Sequence, residues 1–90
     1  MKTLPTQFTD RGFQFNQLRR RGNVAVFSRT KGKVTHFETV IVDSHQGFQI
    51  KGKQIEPSEF YPSSEQWGTK GFTFNDQDAA LAKASALELV

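Results

Sequence analysis

The sequence predicts an α+β domain: a small antiparallel sheet of two hairpins and a late strand, packed by a C-terminal helix. Three observations predict it. β-Branched and aromatic runs flank Lys31, Gly32 and Lys33; a shorter pair of runs flanks Gly52; and Asn75-Asp76 opens an alanine-rich stretch with helical spacing. Ninety residues support one hydrophobic core rather than two, so the chain reads as a single domain, 1-90, and any partner site must lie on its surface or at a sheet edge.

The first eleven residues contain Pro5 and little periodicity, and are expected as a loosely ordered arm, 1-11. Phe13 and Phe15 alternate as in a strand, but Phe15 and Leu18 followed by Gly22 fit one helical turn with a glycine stop, and a short helix is the expectation here. Asn23 to Val42 form the first hairpin. With Lys31 and Gly32 as its loop, Thr30 faces Lys33, Val26 faces Phe37 and Val24 faces Thr39, which gathers one apolar set on the core side. Asp43 to Gly47 reads as a polar turn. GFQI then leads to Gly52 and Lys53 as a second turn with glycine first, and Pro57 ends that hairpin after Gln54 and Ile55.

Residues 56-71 combine two prolines, three serines and two glycines with Phe60, Tyr61 and Trp67, a composition that fits a structured loop packed by its own aromatics. GFTF is the last strand. Asn75 is the expected N-cap of a helix from about Asp76 to Leu89, with Asp76 and Asp78 in the first turn. Ala80, Ala84 and Leu87 form its stripe, with Leu81 at the edge, and the small residues let it lie close across the strands.

Composition narrows the function. The net charge is +3, but residues 1-53 hold ten basic against three acidic side chains and residues 54-90 two against six. Such a bipolar chain either binds a polyanion or closes on itself. The absence of cysteine excludes disulfides, thiolate nucleophiles and cysteine-ligated zinc, and suits a reducing cytoplasm. No stretch approaches the roughly 18 apolar residues of a membrane span, so a cytoplasmic protein without membrane contact is expected.

Nothing in the pattern points to catalysis, a cofactor or a metal. Asp43, Ser44 and His45 are consecutive, and neighbours along an extended chain point apart, so they form no triad. His36 sits beside Glu38 without the spacing of a metal site. Glu56, Glu59 and Glu65 lie on a proline-rich stretch with nothing to raise one pKa. Lys31 to Lys33 and Lys51 to Lys53 are hairpin tips without the helix of a phosphate loop.

The candidate contact residues are basic: the triplet Arg19, Arg20 and Arg21, the group Arg29, Lys31 and Lys33, and the pair Lys51 and Lys53. Beside Phe13, Phe27 or Phe48 they would suit a nucleic-acid groove, since cations neutralise phosphates and rings stack on bases. Lysines at turns also keep a domain soluble and block sheet-to-sheet pairing.

From Glu59 the chain reads EFYPSSEQWGTKGFTFNDQDAALAKASAL. With the preceding hairpin, this resembles small uncharacterised proteins of tailed bacteriophages and prophages that carry a Tyr-Pro-Ser-Ser-Glu-x-Trp-Gly element before an aromatic strand and closing helix. The resemblance spans about residues 12 to 88 and implies a bacterial host cytoplasm and a host or phage macromolecule as partner. A weaker similarity is to the WGR domain, through Trp67, Gly68 and Gly71, with Thr69 where that pattern has its arginine. Trp67 reads either as a ring covering the sheet or as a binding hot spot, and Tyr61 before Pro62 as extended, its hydroxyl tied to backbone. The expected function is a non-enzymatic phage-type accessory protein that binds a protein partner; the alternatives are a nucleic-acid-binding module using the basic tips and a small self-associating phage component.

Overall fold

In the computed structural model, which describes residues 2-88, three chain reversals and one excursion build a single main sheet. Strands β1 (Gln7–Asp10), β2 (Phe13–Arg21), β3 (Val24–Lys31) and β4 (Val34–Ile41) follow one another as antiparallel neighbours, and β9 (Gly71–Phe74) completes the order β1-β2-β3-β4-β9. Between β4 and β9 the chain runs out along β5 (Asp43–His45) and β6 (Phe48–Ile50) and back along β7 (Lys53–Ile55) and β8 (Ser58–Phe60), which pair as two short ribbons. Helix α1 (Gln77–Glu88) closes the fold, so the α+β architecture of antiparallel sheet and terminal helix is what the chain adopts.

β3 is buried from Val24 through Phe27, as a central strand covered on both faces must be. Val24 and Val26 meet Ala80 and Ala84 of α1, with Phe37, Phe74, Leu81 and Leu87 around them. The alanines bring the helix close enough for Thr39 to donate its hydroxyl to the Ala80 carbonyl at 2.7 Å. On the opposite face Phe15, Ala25, Phe27, Val40 and Val42 form a second core with Leu4, covered by Phe8, Phe13, Tyr61 and Trp67.

Several expectations are corrected. Residues 13-21 are strand, not helix: Phe13 and Phe15 share the second core face, and Leu18 mimics a helical repeat because it is the extra residue of a bulge between Gln17 and Arg19, where it stands 42% exposed. The opening segment is no loose arm. Leu4 is buried, Phe8 stacks on Phe15 with ring centroids 4.7 Å apart, and β1 pairs with β2.

In the first hairpin Lys31 faces Val34 and Val26 faces Thr39, so the loop is Gly32-Lys33 rather than Lys31-Gly32. Glycine takes the first loop position, where φ is +61°. The two-residue slip keeps every side chain on its expected face. In the second hairpin the loop is Lys51-Gly52, and residues 43-45 are a strand rather than a turn. Helix α1 is capped by Asp76, whose carboxylate accepts the Ala79 N–H at 3.3 Å, in place of Asn75; the expected end at Leu89 lies outside the described residues.

Candidate binding cleft

β4 inserts a carboxylate into the second core. Parity with Val40 turns Glu38 inward, where its side chain is 2% exposed, and both oxygens are engaged. Oε1 accepts the Tyr61 hydroxyl at 2.5 Å; Oε2 lies 3.1 Å from Arg29 Nη1 and accepts the Thr73 hydroxyl at 3.4 Å. Trp67 Nε1 donates to Thr73 Oγ1 at 2.9 Å, so the network runs from one aromatic cover to the other through the sheet. Burial, and after it the facing Glu38 carboxylate, push the Tyr61 hydroxyl far above its ordinary pKa. Its partner is this carboxylate, not the expected backbone group.

The cover is fixed by glycine. Trp67 stacks so closely over Gly71 that a Cβ there would stand 2.3 Å from its ring, and Gly68 turns the chain at φ +93°. Tyr61 packs edge-on against Phe8, Phe15 and Phe27, and lies 6.3 Å from the Trp67 ring. The loop between them makes one 3-10 turn, Ser64–Gln66, whose Gln66 side chain accepts the Ser63 N–H at 3.1 Å.

Between this loop and the β1-β2 turn lies an open cleft of about 480 Å³. Phe13, Phe15, Arg29 and Glu38 form its floor, Tyr61, Pro62 and Trp67 one wall, Asp10 and Arg11 the opposite rim. Arg29 sits 4.7 Å from the Phe13 ring centre and Lys31 5.1 Å from it, so one ring carries two cations. Arg11 holds a left-handed φ of +52° at the rim, a conformation that asparagine or glycine adopts more readily.

The structure divides the basic candidates. Successive side chains of a strand point to opposite faces. Arg19 and Arg21 therefore turn toward α1 and Glu88, at 2.9 and 3.7 Å, while Arg20 turns to the other face and grips Glu59 with two bonds of 2.7 Å. Arg29 and Lys31 meet on the Phe13 ring, Lys33 occupies the adjoining turn, and Lys51 and Lys53 sit on the separate β6-β7 ribbon. Of the rings expected beside them, Phe27 is fully buried, Phe13 half-buried in the cleft, and Phe48 exposed on the ribbon. Trp67 and Tyr61 both cover the sheet, the structural role weighed for Trp67, and both line the cleft.

Asp43 and His45 do not work together. Asp43 pairs with Lys70, which with the Ser44 N–H holds its carboxyl below the usual range. His45 accepts the Gly47 N–H on Nδ1 at 3.2 Å, which places its proton on Nε2, facing Ser58 Oγ at 3.2 Å. Pattern reading overlooks Arg11, Ser63 and Ser64 at the cleft and the inward position of Glu38. The parity of Val40 and Val42 is the signal that would have found Glu38. Comparison with protein families, with characterised proteins and with solved structures returns no match.

Proposed function

We propose that the chain is a non-catalytic binding module, an accessory protein of the tailed-phage type, and that a host or phage protein partner seats in the cleft between Phe13 and Trp67. The observation that carries this reading is the pre-organised cleft itself: aromatic walls locked by a buried network, beside cations fixed on Phe13. Rigid aromatic and arginine groups bind at small entropic cost, which is why they dominate interface energetics. With Glu38 paired to Arg29, Arg11 on the rim and Lys31 over the Phe13 ring outweigh Asp10, favouring an acidic segment.

The engagement of the polar groups supports a binding role. Both Glu38 oxygens already accept hydrogen bonds, so neither is free as a general base. The tautomer of His45 leaves it unable to take a proton from Ser58. A second reading, a single-stranded nucleic acid stacking on Phe13, draws on the Phe13-Arg29-Lys31 cluster alone.

Affinity capture from bacterial lysate tests the first reading when repeated with the double variant Arg11→Asn, Phe13→Ser. Asparagine suits the left-handed turn position, circular dichroism checks that the fold survives loss of the half-buried Phe13 ring, and the partner should be lost. Retention of the partner by the folded variant refutes the cleft. Binding of short oligonucleotides that weakens steeply between about 50 and 200 mM salt would establish the second reading instead.

A further inference from the structure

The excursion between β4 and β9 is a second surface, independent of the cleft. Its outer ribbon, β6-β7, makes no substantial contact with other described elements, and every residue from Phe48 to Ile55 is exposed. Register places Phe48 opposite Ile55 and Ile50 opposite Lys53, so these four side chains share one face and Gln49 and Gln54 the other. Phe48 is 48%, Ile50 51% and Ile55 38% exposed. The apolar face continues inward, because His45 lies 5.3 Å from the Phe48 ring and 6.2 Å from that of Phe60, itself 36% exposed.

A two-stranded ribbon with one uncovered apolar face is marginal in water by itself. Two features say what covers it. Lys53 stands within the apolar face, and Lys51 occupies the first turn position at φ +49°, where asparagine or glycine is preferred. A cation at a strained tip argues for an anionic occupant, and two lysines, Lys51 in the loop and Lys53 on β7, oppose pairing with a second copy. Neither ribbon edge pairs with another strand among the described residues.

We propose that β6-β7 is a docking arm for an extended segment of a partner protein whose alternate side chains, all on one face, run from apolar to acidic toward the ribbon tip. The segment adds as a third strand, lays its apolar side chains across Phe48, Ile50 and Ile55, and places carboxylates on the same face at Lys53 and beside Lys51 at the tip. Gly47 fixes the joint between arm and stem. A Cβ there would lie 2.8 Å from the Ile55 carbonyl oxygen, so the backbones close without a side chain between them.

The test is amide NMR titration of the full chain with a nine-residue peptide in which threonine alternates with two valines and then two glutamates, so that valines and glutamates share one face. Shifts confined to residues 43-60 are expected, with at least fivefold weaker binding for Phe48→Ser and for Ile50→Ser, both exposed positions whose change leaves the two cores intact. Lys51→Asn separates recognition from turn geometry. It suits the left-handed position and keeps the ribbon ordered, yet binding should fall at least threefold; unchanged affinity in that variant overturns the proposal. Equal shifts with the same peptide carrying lysine in place of glutamate overturn it too, as does a response of these residues to phosphatidylglycerol vesicles but not to the peptide. Sedimentation showing a dimer that Phe48→Ser dissociates would assign the face to self-association and refute it. Arg11→Asn should leave peptide binding unchanged, so failure of the cleft and failure of the arm read out separately.

Discussion

Tyr61 donates its hydroxyl to Glu38 Oε1 across 2.5 Å, tying the loop that covers the sheet to a carboxylate buried within it. Tyr61→Phe keeps the ring packing and removes one donor, leaving Oε1 buried without its partner. An orphaned buried acceptor costs about 1–3 kcal/mol, more when charged. The melting temperature should fall by roughly 4–8 °C for each kcal/mol in a domain of this size. Thermal denaturation at neutral pH checks it, and a change below about 1 °C would show that the bond contributes nothing.

The same bond predicts an alkaline signature. The chain has one tyrosine, so tyrosinate absorbance reports Tyr61 alone. Burial first and Glu38 second raise its folded pKa above the ordinary value near 10. Stability from a raised pKa is complete below the unfolded value and declines as pH rises beyond it. Absorbance should therefore stay flat above pH 10 and appear together with loss of the far-ultraviolet signal. A tyrosinate transition near pH 10 in the folded protein would refute the buried contact.

The main hairpin, the last strand and the helix are legible in the sequence because each is specified locally, by β-branched alternation around a glycine turn or by alanines at helical spacing. The Phe13–Arg21 strand is not, because a bulge at Leu18 makes a period-2 segment imitate a period-3.6 one. Leu4 and Phe8 read as a loose arm since their order comes from Phe15 across the Arg11-Gly12 turn and from Glu59, far along the chain. The arginine triplet invites reading as a patch, yet strand alternation sends Arg20 to Glu59 and its neighbours to Glu88. The cleft is least legible, being assembled from three segments that meet only once the sheet is formed.

Arg20 and Glu59 make a prediction for acid. Two 2.7 Å bonds from the guanidinium, then the Leu4 N–H at 2.9 Å, bring the Glu59 carboxyl down to about 2. A lowered pKa stabilises above the ordinary carboxylate range and is lost as pH falls toward the folded value. Glu59→Gln should destabilise the protein at pH 7 by about 1 kcal/mol, allowing for the pair's partial exposure. The difference from the parent should shrink below pH 4.5 and vanish near pH 2. Urea melts at pH 7, 4 and 2.5 test this; a gap that stays constant with pH would mean that the loss is one of packing.

Gly71 and Trp67 give the last prediction. Gly71 is buried in β9 opposite Val40, and its missing side chain is the space in which the indole lies. Gly71→Ala puts a methyl 2.3 Å from the ring, so the ring must leave. Its donor bond to Thr73 and its place in the cleft wall go with it. Overfilled sites of this kind cost about 1–3 kcal/mol. The chain has one tryptophan, so its fluorescence reports the displacement directly. Emission should shift to longer wavelength while the far-ultraviolet spectrum retains the sheet, and acrylamide quenching should rise. Unchanged emission in Gly71→Ala would mean that the ring does not rest on this strand, and the cleft would lose its wall.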